Sequence, residues 1–159
     1  VIAYEVIYVI LISACLLGLN CRYNGGNNLD KELMKYLKDK EYVIACPEQL
    51  GGLPTPRNPS EIVFGDGKEV LDGKSRVKDN KGQDVTMSFI KGARETLKIA
   101  KLYNVKTAIL KEKSPSCGNV AIYDGSFCGK LKEGSGITAE LLKQNGILVF
   151  NENNYKENI

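Results

Sequence analysis

Three apolar runs in this chain each lead into a cysteine. Val6-Ile7-Tyr8-Val9-Ile10-Leu11-Ile12 runs into Ser13-Ala14-Cys15, Tyr42-Val43-Ile44-Ala45 stops at Cys46, and Thr107-Ala108-Ile109-Leu110 is followed after a short loop by Cys117. A single unpaired cysteine is most often a small buried hydrophobe. Three at equivalent strand ends point instead to one site built from separated loops. Three chemistries are open to such thiolates. A structural zinc site wants four ligands, usually in paired C-x-x-C turns that this chain lacks, and Cys21 offers the fourth thiol. An iron–sulfur cluster on three thiolates leaves one iron open as a Lewis acid. A redox pair, Cys15 with Cys21 for example, is the third.

The rest of the composition narrows the choice. The 159 residues include no histidine. That removes the Ser-His-Asp and Cys-His arrangements and every imidazole metal site. Acid–base work falls to Glu, Asp, Lys, Tyr or water. Five cysteines are an odd set for a disulfide framework, and a chain of this length needs no staples. Free thiols in a reducing cytoplasm fit better. A net charge of +3 without a long Lys/Arg block gives no nucleic-acid signature.

Several polar residues stand beside the cysteines. Glu48 follows Cys46 by one stiff proline and is a candidate general base, with burial favouring its protonated form. Its alternative is an exposed glutamate. Ser114 and Ser116 flank Pro115 ahead of Cys117. Each is a turn hydroxyl or a substrate donor, and the turn role suits Ser116 better. Arg22 beside Cys21, and Arg57, would orient a carbonyl or an anion, or stand on the surface. Lys111 and Lys113 would lower a thiolate pKa or be solvated. Cys128 has no role that its context suggests.

These residues must be placed by regular elements. The first apolar run has the Val/Ile/Tyr bias of a buried parallel strand. Glu5 and the lack of a basic leader argue against a signal or membrane segment over residues 1–19. Asp30 caps a helix over residues 31–39 that buries Leu33, Tyr36 and Leu37. The strand Tyr42-Val43-Ile44-Ala45 follows. Four of the five prolines fall between Cys46 and Pro59, a stretch that cannot be regular helix or central strand. So long a loop in a compact domain is usually functional. Residues 61–77 read as a hairpin excursion. Residues 84–103 are the clearest helix, with Phe89, Ile90, Ala93, Leu97 and Ala100 at helical spacing. A strand at 107–110, a loop at 111–118, a turn at 123–126, a helix capped by Thr138 and a strand at 147–150 complete the order. Strands alternating with helices predict a single-domain α/β fold. It has three layers, with an open, mainly parallel sheet of four to five strands and helices on both faces. The domain spans residues 6–150, with an extension at 1–5 and a polar tail at 151–159. In such sheets ligands bind beyond the carboxyl ends of the strands, where Cys15, Cys46 and Cys117 fall.

Long stretches of the chain resemble a known family. Ser13-Ala14-Cys15-Leu16-Leu17-Gly18, Cys21-Arg22-Tyr23, the run from Cys46-Pro47-Glu48-Gln49-Leu50-Gly51-Gly52 to Leu53-Pro54-Thr55-Pro56-Arg57, and Lys113-Ser114-Pro115-Ser116-Cys117-Gly118 are similar to the signatures of a small bacterial family, the thiouracil desulfidases, formerly a domain of unknown function. The resemblance implies a 4Fe-4S cluster on Cys15, Cys46 and Cys117. Its fourth iron would take the sulfur of a thiolated pyrimidine, which water replaces without net redox change. It also implies Glu48 as the acid–base residue and Ser114 beside the substrate. Arg22, Tyr23 and Ser116 are candidate substrate contacts, Tyr23 by stacking on a flat base. The family usually has Asp after Cys-Arg-Tyr, where this chain has Asn24. The expected partner is a small thiolated nucleobase, with thiolated bases within RNA as the alternative. The expected setting is the cytoplasm, with no membrane. The runner-up activities are a structural zinc module and a thiol redox protein.

Overall fold

The computed structural model describes residues 2–158. Val1 of the expected extension and Ile159 of the expected tail lie outside them. The order of elements is β1 (Val9–Ser13), α1 (Lys31–Tyr36), β2 (Glu41–Ala45), α2 (Pro47–Leu50), β3 (Ser60–Ile62), α3 (Gly67–Leu71), β4 (Val77–Asp79), α4 (Thr86–Leu102), β5 (Thr107–Leu110), β6 (Ala121–Tyr123), β7 (Leu131–Glu133), α5 (Ile137–Gln144) and β8 (Leu148–Asn151).

The central sheet is parallel, with strand order β2-β1-β5-β8. Successive side chains of a strand point to opposite faces, and β1 shows this well. Leu11 joins Ala108, Leu110 and Val149 on one face, where α4 and α5 bring Ala100, Ala139 and Leu142. Ile10 and Ile12 join Ile109 on the other, covered by Leu33 and Leu37 from α1 and its exit turn and by Tyr155. Two antiparallel pairs, β3 with β4 and β6 with β7, stand outside the sheet. A third cluster beneath them unites Ile62, Val77 and Ile122 with Phe89 and Ala93 of α4. The α/β class, the parallel sheet and helices on both faces therefore agree with the reading of the sequence.

Some boundaries differ, each for a local reason. Residues 6–8 do not extend the first strand. β1 first pairs where Val9 meets Glu41, and Val6, Ile7 and Tyr8 lie exposed before it. The proline-rich stretch does contain a helical turn, because Pro47 occupies the first turn of α2, where its missing N–H costs nothing. The excursion at 61–77 carries α3 between its strands, closed by a capping box of Asp66 and Glu69. Thr138 is not a cap. α5 begins at Ile137, two residues earlier than expected, with Gly136 at the cap position, and the Thr138 side chain is fully buried. The tail is not simply polar. Asn151 closes β8, and Tyr155 is buried against the ring of Tyr36 at 5.0 Å. Asp30 caps α1 as expected, accepting from the N–H groups of Glu32 and Leu33.

α2 is held on α4 by glycines. A Cβ on Gly92 would lie 1.9 Å from the carbonyl oxygen of Pro47, and one on Gly51 would lie 2.0 Å from that of Ser88. Alanine is normally the better helix residue by about 1 kcal/mol, but contact with rigid backbone reverses the sign. Gly92→Ala is expected to lower stability by about 1–3 kcal/mol in a urea melt, as overpacking does. An unchanged or raised midpoint would mean that α2 is free to shift.

Asp84 tests the start of α4. The Thr86 hydroxyl and N–H, with Arg76, hold its carboxyl down at about 2, below the usual aspartate range. A depressed carboxylate contributes stability above its unfolded pKa and loses it as pH falls toward the folded one. Val85 holds the cap position, and Asp84 before it accepts the Thr86 N–H at 3.0 Å; Asp84→Ala is expected to cost about 0.5–1 kcal/mol at neutral pH, the low end for a half-exposed carboxylate at a helix start. Thermal melts should show the gap closing as pH falls from about 4 to about 2. A gap independent of pH would remove the carboxylate charge from the start of α4.

Candidate active site

β1 and β2 end side by side, with Ser13 opposite Ala45, and β5 ends on the other flank of β1. The next residues of all three strands therefore emerge along one edge of the sheet. A cleft of about 410 Å³ opens there, lined by Cys15, Cys21, Cys46 and Cys117 together with Glu48 and Ser114. The three cysteines anticipated at strand ends thus meet, and Cys21 joins them.

Each thiol has a distinct environment. Cys15 sits in the turn after β1, and Asn28 donates from Nδ2 to its Sγ at 3.3 Å. Cys21 is buried, with the thiols of Cys15 and Cys46 beside it. Its single S–H hydrogen can serve one of them at a time, and sharing it raises the pKa of Cys21, lowers that of Cys15 and brings Cys46 down to about 6. Cys117 is buried, and burial pushes its thiol up. It stays protonated on its own and would ionise on meeting a metal cation. Cys128 is exposed on the β6–β7 turn and does not line the cleft.

Glu48 lines the cleft, but not in an apolar pocket. Arg57 donates from Nε to its Oε2 at 2.6 Å, and both side chains are largely buried. The same guanidinium reaches the carbonyl of Cys21 at 2.9 Å, Thr55 Oγ1 at 3.1 Å and the carbonyl of Pro54 at 3.3 Å. Arg57 is therefore no surface residue. It ties the Cys21 loop to the Cys46 loop.

The two serines separate. Ser114 lines the cleft while its Oγ accepts from the N–H groups of Ser116 and Cys117, both at 3.1 Å. Ser116 is withdrawn. Its hydroxyl shares a 2.7 Å hydrogen bond with Thr138 inside the protein, so the expectation of a substrate contact there is corrected. Arg22 and Tyr23 both line the cleft, with the guanidinium 5.6 Å from the ring centre. Asn24 lies outside the lining. Its Oδ1 accepts from Gly26 N–H at 2.9 Å, a turn bond that an aspartate would make equally well.

Other residues of the site carried little sign in the sequence. Ser13 Oγ accepts from Lys111 N–H at 2.9 Å, tying β1 to the loop after β5. Lys111 pairs with Glu152 at 2.6 Å rather than with a thiolate. Glu61 lines the cleft and receives the N–H groups of Gly125 and Phe127. Glu112 is buried at the cleft wall. Each depends on contacts between residues far apart in the chain. Ser13, Lys111 and Glu112 stood in or beside stretches already marked by a cysteine, but these partners were not legible there.

As a donor set the cleft offers four thiols and the carboxylates of Glu48, Glu61 and Glu112, with no imidazole. No group of three or more Cys, Asp or Glu side chains among the described residues is arranged to hold a single metal ion. Soft thiols spread around a cleft suit an iron–sulfur cluster, which is larger than one ion. No helix among the described residues is long and apolar enough to cross a membrane.

Comparison with known proteins agrees with this chemistry. An uncharacterised protein of Bacillus subtilis (strain 168), YbbK, is 49% identical over 145 residues, which cover 91% of this chain and 96% of that one. The solved structure of TudS, described as a [4Fe-4S]-dependent thiouracil desulfidase, is similar with a TM-score of 0.83 and 39% identity, covering 94% of each chain. The profile of the 2-thiouracil desulfurases matches residues 10–154, and the chain belongs to that family.

Proposed function

We propose that this chain is an enzyme of the thiouracil desulfidase type, which removes sulfur from a thiolated pyrimidine. Thiouracil and water would give uracil and hydrogen sulfide, with no change in oxidation state. The observation that carries this reading is the meeting of Cys15, Cys46 and Cys117 at one cleft beside Glu48. A volume of about 410 Å³ is in the range of small-molecule sites.

Cys15, Cys46 and Cys117 would hold the cluster. When bound, a 4Fe-4S cluster on three thiolates supplies a soft Lewis acid with one iron free of protein sulfur. The chain's own residues would do the rest. Arg57 occupies Glu48 Oε2 and keeps the carboxylate turned into the cleft. Oε1, which has no hydrogen bond among the described residues, takes a proton from the water that attacks the ring carbon. Ser114 Oγ already accepts two backbone N–H groups, so its own hydrogen is left to donate to the ring. Tyr23 gives an aromatic face at the mouth. Cys21 stands beside Cys15 and Cys46 and would support one of them at a time with its S–H.

Anaerobic reconstitution with iron and sulfide tests the assignment. The parent chain and Cys21→Ser are expected to take up about four irons, as a cubane cluster does. Cys117→Ser is expected to lose them. Stoichiometric zinc held by all four thiols would sink the proposal. Glu48→Gln should keep its iron and form uracil from 2-thiouracil about 100-fold or more slowly, the usual range for losing an acid–base group. Undiminished uracil formation in a chromatographic assay would take Glu48 out of the mechanism.

A further inference from the structure

Glu112 lies within the stretch that carries Ser114 and Cys117, and nothing in the reaction above uses it. It is 6% exposed, and its partners are unusual. No cation contacts its carboxylate among the described residues, since neighbouring Lys111 pairs with Glu152. Instead Oε1 accepts the N–H groups of Lys113 at 3.1 Å, Asn119 at 2.8 Å, Val120 at 3.1 Å and Ala121 at 3.2 Å. Oε2 accepts from Val120 N–H at 3.2 Å and from the Asn151 side-chain amide.

A buried carboxylate without a counter-ion is costly unless hydrogen bonds replace its hydration. Here the replacement comes from both ends of one loop. Lys113 is just before Ser114, and residues 119–121 are just after Cys117. Satisfying the charge therefore closes the loop on itself. The loop's carbonyls face the other way. Those of Pro115, Ser116 and Gly118 receive the N–H groups of Ile137, Thr138 and Gly136 at the start of α5. A Cβ on Gly136 would lie 2.4 Å from the Ser116 backbone, so the two are in close contact. Inside this frame Ser114 Oγ receives the Cys117 N–H.

We propose that Glu112 is the positioning residue of the site, and that its carboxylate, anchored by Asn151, winds the loop at residues 113–121 so that Ser114 and Cys117 face the cleft. The inference rests on the cleft being the reactive site, but the loop geometry stands whether or not the chain turns over thiouracil. Its test therefore uses the metal-free chain.

The test is the rate of thiol alkylation by iodoacetamide, read residue by residue by mass spectrometry. In the parent chain Cys117 should be labelled slowly, because it is buried. Glu112→Gln puts an amide N–H₂ where Oε2 faced the Asn151 donor, so two donors meet. Cys117 is expected to label about tenfold faster or more through local opening of the loop. Cys46, on a different loop, should change less than about twofold on the same local-opening argument. The double variant Glu112→Gln/Asn151→Asp restores a donor–acceptor pair with the bond reversed and the negative charge kept. It should bring Cys117 labelling back toward the parent rate. Unchanged Cys117 labelling in Glu112→Gln would overturn the proposal. Equal acceleration of Cys46 and Cys117 would overturn it too, since Glu112 would then support the whole fold rather than the loop. A folded double variant that stays fast would remove the Glu112–Asn151 pair as the anchor.

Discussion

The Arg57 guanidinium is the tie on which the geometry of the cleft rests. Cys46 is held between β2 and α2, whereas Cys21 stands in a separate loop without regular structure of its own. Arg57 binds the Glu48 carboxylate and the Cys21 carbonyl at once, and its backbone N–H reaches the carbonyl of Tyr23 at 2.8 Å. A planar guanidinium suits this better than an ammonium, because its donors hold fixed directions. The pair is largely shielded from water. Removing the arginine alone would leave a carboxylate partly buried and unpaired, which is costly. The ion pair is therefore a constraint on shape more than a source of net stability.

A second constraint acts on the other side of the cleft. Cys117 has no counterpart of Arg57 beside it. Its loop is shaped by backbone hydrogen bonds to Glu112 and to the start of α5. One flank of the site is thus held by a cation and the other by an anion, and β1 lies between them with Cys15. Lys111, a cation on the second flank, is engaged by Glu152. This separation keeps each buried charge matched to its own partners.

Much of the frame was legible in the sequence because it follows from local pattern. Continuous apolar runs predicted buried parallel strands, and their cysteine ends predicted a shared edge. The periodicity of α4 and the cap at Asp30 were equally local. What escaped depended on distant contacts. No pattern around Glu112 says that residues 119–121 will fold back on it. Nothing near Ser116 says that Thr138 will claim its hydroxyl. Val6, Ile7 and Tyr8 look like strand, yet they lie beyond the first paired residue. Tyr155 sat in a polar tail, and only the three-dimensional fold brings it to Tyr36. The resemblance to a family supplied roles, whereas the spacing alone left zinc, cluster and redox chemistry open.

The parallel sheet also bears on how the site comes into being. Cys15 meets Cys117 only through the pairing of Ile10 with Thr107, and Cys46 only through the pairing of Ser13 with Ala45. Such non-local parallel pairing forms slowly, since loop closure must precede the contacts that reward it. The thiols are thus scattered in the unfolded chain and gather late. In a zinc finger, metal binding drives folding. A centre held by these thiols would instead need the sheet to be complete before its ligands could converge.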